Sequence, residues 1–249
     1  MRKSLVLPVC AFFCTVPVAY GDDTGPIHEF TGNIAITTDY LFRGYSQTGE
    51  GAAIQGGMDY THAPSGFYAG TWASSIEFDT PGDTDDASIE VDLYAGITRT
   101  FSSGVSWDVG TLFYYYPDQN QDASARYDYL EVYGALGYTF ENSFLRPTVG
   151  VKLSYSGDYF GEDGDSFYPE ASLDLALPQS FGLGFHVGRL DVKGDKTTPG
   201  GYDYTHWSVA LSREIAGFGL DLSYNDANDD GACPDDLCEA VVFSMSRDF

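Results

Sequence analysis

Alternation of apolar and polar residues with a period of two runs through much of this chain and restricts what it can fold into. In residues 89–97 every odd position is apolar, while Glu90 and Asp92 occupy even positions. The same pattern returns in residues 173–177, 218–224 and 241–245. A period of two is typical of β-strands with one apolar face, not of helices. The chain is therefore predicted to be all-β.

The connections between the predicted strands fall into two classes. We place twelve strands at 31–43, 52–62, 66–78, 87–101, 104–116, 127–140, 143–155, 168–177, 181–192, 203–214, 217–225 and 238–249. Short turns alternate strictly with longer connections along this series. Bacterial outer-membrane barrels have this plan, with short periplasmic turns and longer extracellular loops. We predict a single transmembrane antiparallel up-and-down β-barrel over residues 31–249, preceded by a periplasmic tail at 22–30.

The N-terminus has the features of an export signal. Arg2 and Lys3 precede an apolar run, and the small residues Ala19 and Gly21 suit a cleavage site after residue 21. Beyond residues 1–21 no segment approaches the roughly 18 apolar residues that a membrane helix needs. The protein is thus expected to pass through the periplasm to the cell outer membrane. In that oxidising route Cys233 and Cys238 are expected to form a disulfide.

Acidic residues outnumber basic ones 37 to 12, which gives a formal net charge of −25. This charge excludes binding to nucleic acid backbones. Many of the acids lie in the predicted long loops, where a solvated acidic exterior is the simplest interpretation. Residues 226–231 begin like a calcium loop, but Leu237 stands where that motif requires glutamate. We predict no cofactor or metal site, with loop-bound divalent cations, bridging to lipopolysaccharide phosphates, as the weaker alternative.

Aromatic residues make up 16% of the chain and concentrate near the predicted strand ends. Girdles at the two lipid interfaces would use them, and outer-membrane lipid and lipopolysaccharide are then the expected surroundings. The final strand carries apolar residues on one face and ends at Phe249, which looks like the signal read by the barrel assembly machinery. Arg247 interrupts that apolar face.

Three segments near the N-terminus carry a resemblance to a known family. They are residues 37–48, 55–60 and 66–74, and the first contains the motif Asp39, Tyr40, Phe42, Arg43, Gly44, Ser46 and Gln47. This pattern resembles the TorF family of proteobacterial porins. The resemblance implies an outer-membrane barrel that acts as a channel.

If the apolar face of each strand contacts lipid, the opposite face lines the lumen. The predicted lining is acidic, with Arg43, Arg146 and Lys152 as its bases and with the acids Asp39, Asp59, Glu90, Asp92, Asp108, Glu131, Glu170, Asp174 and Asp221. Surplus carboxylates in a hydrated lumen attract cations. This predicts a porin-like channel for passive diffusion of small hydrophilic solutes or ions, with a preference for cations.

Three alternatives remain open. The lumen charges could pair and plug the barrel, because twelve strands lie between the eight that side chains fill and the sixteen that leave a channel. A lipid hydrolase could use His206 and Ser208, but the strand pattern turns both toward the lumen, away from lipid, so no enzyme is predicted. A soluble all-β sandwich shows the same periodicity, although the alternating connections and Phe249 argue against it.

Overall fold

The computed structural model describes residues 26–78, 87–119, 126–195, 201–228 and 238–249. Within these residues twelve antiparallel strands form one closed barrel, as the alternation predicted. Its strands are β1 (His28–Thr37), β4 (Ala53–His62), β5 (Phe67–Phe78), β6 (Ala87–Thr100), β7 (Val105–Tyr115), β8 (Tyr129–Thr139), β9 (Thr148–Ser156), β10 (Ser166–Leu177), β11 (Phe181–Val192), β12 (Tyr202–Ile215), β13 (Phe218–Ala227) and β14 (Ala240–Asp248). Two short strands, β2 (Leu41–Phe42) and β3 (Tyr45–Ser46), form a separate hairpin.

The barrel closes where the first strand meets the last. Residues 33–37 of β1 pair with residues 244–248 of β14. Beyond this ladder, Gly32 and Phe249 exchange two backbone hydrogen bonds of 2.9 Å. Closure satisfies the backbone groups that a free sheet edge would expose. The Phe249 side chain itself remains 78% exposed.

The two faces of the barrel wall differ in polarity as the alternation requires. Large apolar side chains point outward and are exposed, among them Ile34, Ile54, Met58, Leu93, Val109, Leu130, Val151, Leu153, Leu211, Leu222 and Val241. Their neighbours along each strand point inward and include most of the buried charged residues. An apolar belt on the outside and polar groups on the inside is the pattern of a barrel that lipid surrounds.

The two ends of the barrel are distinct. The end that carries the connections 63–66, 101–104, 140–147, 178–180 and 216–217, together with both chain termini, is called the turn end. The opposite end is called the loop end. There β1, β5, β7, β9, β11 and β13 end, β4, β6, β8, β10, β12 and β14 begin, and the described connections 38–52 and 157–165 lie.

Two predicted strands have different bounds in the structure. The first begins at His28, inside the expected tail, and ends at Thr37 instead of residue 43. The strand expected from residue 143 begins only at Thr148, because Leu145 and Arg146 have φ angles of 64° and 42° that no strand accommodates. Arg146 therefore lies in a turn, where it forms an exposed ion pair with Glu141.

About half of the aromatic residues near the strand ends point into the lumen, so the prediction of aromatic girdles at the lipid interfaces is wrong for these residues. Phe67, Tyr115 and Trp207 are exposed on the outside of the barrel, and Phe144 is exposed in the turn 140–147. Their neighbours on the inward face are buried, among them Tyr68, Tyr114, Tyr116 and Tyr204. Consecutive residues of a strand point to opposite faces, so an aromatic run near a strand end supplies both the outer surface and the lumen.

The export signal at 1–21, Cys233 and the acidic segments 79–86 and 229–237 lie outside the described residues. Cys238 is described and is 4% exposed, and its pairing with Cys233 stays a prediction. The helices among the described residues are too short to cross a membrane.

Candidate functional site in the barrel lumen

The connection between β1 and β4 folds into the barrel instead of extending away from it. We call residues 38–52 the inward loop. Its hairpin turns at Arg43 and Gly44, whose φ angles are 51° and 83°. Two consecutive residues with positive φ are what a tight two-residue turn of type I′ requires, and glycine suits the second position. The strand predicted to reach residue 43 is thus corrected to a strand ending at Thr37 followed by a hairpin inside the barrel.

Asp39 holds the two sides of the inward loop together. Its Oδ1 accepts hydrogen bonds from Ser46 Oγ at 2.7 Å and from Thr48 Oγ1 at 2.9 Å. The backbone adds a bond of 2.7 Å from Gln47 N to Tyr40 O, and Thr37 Oγ1 donates to Asp39 O at 2.7 Å. The predicted lumen acid Asp39 therefore lies inside the barrel, but it braces the loop instead of lining a strand.

The inward loop contacts strands on several sides of the lumen. Tyr40 Oη donates to Glu90 Oε1 of β6 at 2.5 Å. Gly44 lies against β12 so closely that a Cβ at that position would be 2.6 Å from the Cβ of His206. At the rim, Glu77 N donates to Gln47 O at 2.8 Å. The loop thus crosses the lumen at the loop end and obstructs it there.

Arg43 makes the strongest polar contact between the inward loop and the barrel wall. Its Nη2 lies 2.6 Å from Glu131 Oε1 and 2.8 Å from Glu131 Oε2, and the two residues are 6% and 2% exposed. The guanidinium also lies 4.0 Å from the ring centroid of Tyr168. Such a charge-assisted contact within a buried site is far stronger than the same pair in water, and leaving either partner alone is costly.

Two further buried acidic residues, Glu90 and Asp92 of β6, lie near Glu131. Glu90 is 1% exposed and also accepts a bond of 2.8 Å from Tyr116 Oη. Asp92, two residues further along β6 on the same face, is 8% exposed, and its Oδ1 has no hydrogen-bond partner among the described residues. Glu90 and Glu131 are both close enough to repel the Asp92 charge. The loop end of the lumen therefore holds three buried acidic side chains beside the single base Arg43.

Aromatic rings fill the space around this charged group. Tyr114 and Tyr129 stack with ring centroids 4.3 Å apart, and Tyr159 packs edge-on against Tyr129 at 4.8 Å. The cluster continues through further buried residues that are Tyr40, Ile76, Tyr116, Tyr168, Leu190, Val192 and Tyr204. The loop-end half of the lumen is consequently packed almost as a protein core.

Toward the turn end the inward tyrosines lie flat against the wall. A Cβ at Gly96 would be 2.3 Å from Tyr68 Oη, and one at Gly70 would be 2.5 Å from Tyr94 Oη. Glycine on the neighbouring strand thus leaves room for each ring to lie along the sheet. Tyr68 Oη reaches Asp108 Oδ1 at 2.7 Å in this arrangement. Rings that lie along the wall leave the lumen wider than rings that project from it.

The ionisable groups at mid-height form a second network. Glu170 lies 3.4 Å from Lys152 Nζ and 3.0 Å from His186 Nε2. The Lys152 and His186 side chains are 21% and 17% exposed. Asp59 and Asp174, nearer the turn end, are also partly exposed. The turn-end half thus retains charged groups that water can reach.

The structure brings most of the predicted lining residues together. Those that lie on inward faces of barrel strands are Asp59, Glu90, Asp92, Asp108, Glu131, Lys152, Glu170, Asp174 and Asp221. Asp39 and Arg43 reach the lumen from the inward loop, and Arg146 is corrected to an exposed turn. Sequence reasoning missed the inward tyrosines and the ion pair between Arg43 and Glu131. The Arg43-Gly44 dipeptide was the one local signal that a turn lay there.

His206 and Ser208, the pair weighed for a hydrolase, also occupy the inward face of β12. His206 is 5% exposed, and its Nε2 lies 2.7 Å from Tyr168 Oη. It packs beneath Gly44 of the inward loop. Among the described residues no three His, Cys, Asp or Glu side chains are arranged to hold a metal ion.

The sequence profile described as "Bacterial protein of unknown function (Gcw_chp)" matches residues 21–249. The chain belongs to the Gcw_chp family. No curated protein matches the sequence significantly. The family match covers the whole barrel, including the inward loop and the last strand.

Several solved structures with a similar fold are porins or channels by name. The KdgM porin superposes with a TM-score of 0.57 at 9% identity, over 88% of this chain and 98% of that one. An outer membrane channel from Pseudomonas putida F1 gives 0.56 at 11% identity, over 90% and 97%. The NanC porin gives 0.53 at 8% identity, over 88% and 98%. At these identities the similarity shows the shared barrel fold.

Proposed function

We propose that this Gcw_chp protein is an outer-membrane channel for small hydrophilic solutes or ions, with a preference for cations, and that the inward loop narrows its loop end. The observation that carries the proposal is the lumen itself. Inward faces hold carboxylates and tyrosine hydroxyls, while the outer face is apolar. An acidic lining attracts cations and repels anions, because low-dielectric walls focus the field of fixed charges.

The proposal extends to the membrane surroundings, the assembly signal and the family motif. The apolar outer belt suits outer-membrane lipid, with lipopolysaccharide around the loop end. The terminal Phe249 stays exposed at the turn end beside Gly32, and in this proposal it is the signal that the barrel assembly machinery reads. The TorF-type motif is, in this proposal, the sequence of the inward loop, so a TorF-type porin would be one whose first loop narrows the lumen.

Planar bilayers with purified protein under a KCl gradient test the channel. Conductance steps with a reversal potential of the sign set by K⁺ are expected. Asp59→Asn and Asp174→Asn should each move that potential toward zero, since both carboxylates are partly exposed in the turn-end half. Asp191→Asn is the matched control, because Asp191 is exposed and precedes the end of β11 on its outward face. A reversal potential of the anionic sign would overturn the cation preference.

A plugged barrel without conductance is the second candidate, and the packing around the inward loop favours it. Tyr40, Glu90 and Glu131 are at most 2% exposed, so water does not reach that level of the lumen in this conformation. Shortening the inward loop distinguishes the channel from the plugged barrel. A channel conducts more strongly once residues 40–48 are removed. A barrel that conducts neither with nor without these residues is a structural or surface protein.

A further inference from the structure

The surroundings of the Arg43 guanidinium have the composition of a ligand site. We call Phe42, Glu131, Tyr159 and Tyr168 the Arg43 pocket. Three aromatic rings lie around the guanidinium, with centroids at 4.0 Å for Tyr168, 4.8 Å for Phe42 and 5.7 Å for Tyr159. Glu131 closes the remaining side with both carboxylate oxygens within 2.8 Å of Nη2. Aromatic faces combined with a carboxylate are the means by which proteins recognise organic cations.

We propose that the Arg43 pocket is a binding site for a diffusible organic cation of the guanidinium class, and that Arg43 occupies it in the resting protein. The inference deepens the proposed function and rests on it, because a cation crossing the lumen must pass this level. Arg43 then acts as a tethered occupant that an incoming cation displaces.

The surplus of acidic side chains around the pocket supports the proposal. Glu131 pairs with Arg43, while Asp92 lies near Glu90 and Glu131, and its Oδ1 has no partner among the described residues. Unpaired charge is costly in a site that water does not reach. The site therefore attracts a positive charge, and it attracts one more strongly when Arg43 is absent.

The inward loop is built so that Arg43 can leave the pocket without loss of the loop's own structure. Asp39 braces the loop through Ser46 and Thr48, and none of these bonds involves Arg43. Arg43 itself lies at the tip of the hairpin, where it bonds to a residue of the barrel wall. When an incoming guanidinium displaces Arg43 from Glu131, the hydrogen bonds of Asp39 to Ser46 and Thr48 therefore stay intact.

The geometry favours a guanidinium over a metal ion. A planar cation uses ring faces and a carboxylate together, whereas a hard metal ion needs several oxygen ligands converging on one point. Among the described residues no group of His, Cys, Asp or Glu side chains meets that requirement. Stacking on Tyr168 stabilises a bound guanidinium, whereas the ring face offers no ligand to a metal ion.

Chemical rescue tests the site. Arg43→Ala removes the tethered occupant, and methylguanidinium chloride is then titrated by calorimetry in detergent against sodium chloride of equal ionic strength. We expect binding about tenfold tighter than in the wild type, because a tethered group competes at high effective concentration. The matched control is Arg189→Ala, which removes an exposed arginine paired with Asp203, and it should bind as weakly as the wild type. Arg43→Ala combined with Glu131→Gln should lose the binding.

Heat-dependent migration on a detergent gel verifies that each variant is a closed barrel, and Arg43→Gln replaces Arg43→Ala if the latter does not fold. A folded variant that binds no methylguanidinium, or that binds tetramethylammonium more tightly, overturns the inference. Bilayer recordings on the same preparations separate the two proposals. If the protein conducts but does not bind methylguanidinium, the proposed site is wrong and the proposed channel stands. If it binds methylguanidinium but does not conduct, the proposed channel is wrong and the proposed site stands.

Discussion

The two halves of the lumen are built from the same alternating strands, yet they are filled differently. In the loop-end half, the inward loop brings Tyr40 and Arg43 against Glu90 and Glu131, and all four are nearly inaccessible. In the turn-end half no loop enters among the described residues, and Asp59 and Asp174 remain partly exposed. One inserted hairpin therefore changes a hydrated wall into a packed core.

The comparison indicates what each half contributes. Tyr40, Arg43, Glu90 and Glu131 in the loop-end half have one another as partners, so removing one of them leaves a buried polar atom alone. Asp59 and Asp174 in the turn-end half are partly exposed to water, so removing either costs little stability but changes the field along the lumen. Substitutions at the loop end should act on closure and stability. Those at the turn end should act on conductance and selectivity.

Removing the inward loop should have the largest effect. When Gly-Gly replaces residues 40–48, the loop-end half loses its packed centre and becomes as accessible as the turn-end half. We expect single-channel conductance in planar bilayers to rise several-fold, while heat-dependent migration shows that the barrel is still closed. An unchanged conductance would mean that the inward loop is not what narrows the lumen.

Breaking the buried ion pair should have the next largest effect. Glu131→Gln leaves the Arg43 charge unpaired in a site that water does not reach, which should lower the free energy of unfolding by about 3–5 kcal/mol. Urea unfolding in detergent micelles measures this change. Glu141→Gln breaks the exposed pair with Arg146, whose side chains are 43% and 44% exposed, and should cost about 0–1 kcal/mol. Equal costs would mean that the loop-end half is hydrated.

The sequence predicted the barrel wall far better than the contents of the lumen. Each strand carries its own signal, because alternation along β6 places Glu90 and Asp92 on the face opposite Ile89 and Leu93 whatever else is present. The strand count, the closed barrel and the predicted inward positions on barrel strands follow from this local rule.

The inward loop follows no such rule. Residues 38–43 were predicted as part of the first strand, because a hairpin arm inside the lumen has the same period as a strand of the wall. What folds the loop inward is a set of partners far along the chain, with Glu131 88 residues from Arg43. The turn predicted at 141–142 extends over 140–147 for a related reason, since the positive φ angles of Leu145 and Arg146 leave no mark in the alternation.

Two glycines that occupy the second position of tight turns offer a closer test of the two environments. Gly44→Ala meets a φ of 83° and a Cβ contact of 2.6 Å with His206, whereas Gly217→Ala, at the turn end, meets a φ of 79° in open space. The positive φ costs both variants about 1–2 kcal/mol, and overpacking should add about 1–3 kcal/mol at Gly44. Urea unfolding should separate the two, and Gly44→Ala should also raise conductance by displacing the hairpin. Equal stability would contradict the close contact with β12.

The smallest effect is expected from the rings that lie along the wall. In Gly96→Ala the new Cβ would be 2.3 Å from Tyr68 Oη and 2.8 Å from Val109 O, so the strand must shift slightly and the ring must turn away from the wall and project into the turn-end half. We expect single-channel conductance to fall by a modest fraction with little change in selectivity, because the charges stay in place. Gly134→Ala is the matched control, since its Cβ would meet no atom closer than 4.0 Å. If Gly96→Ala leaves conductance unchanged in a channel freed of residues 40–48, the turn-end half is wide enough that Tyr68 does not define its bore.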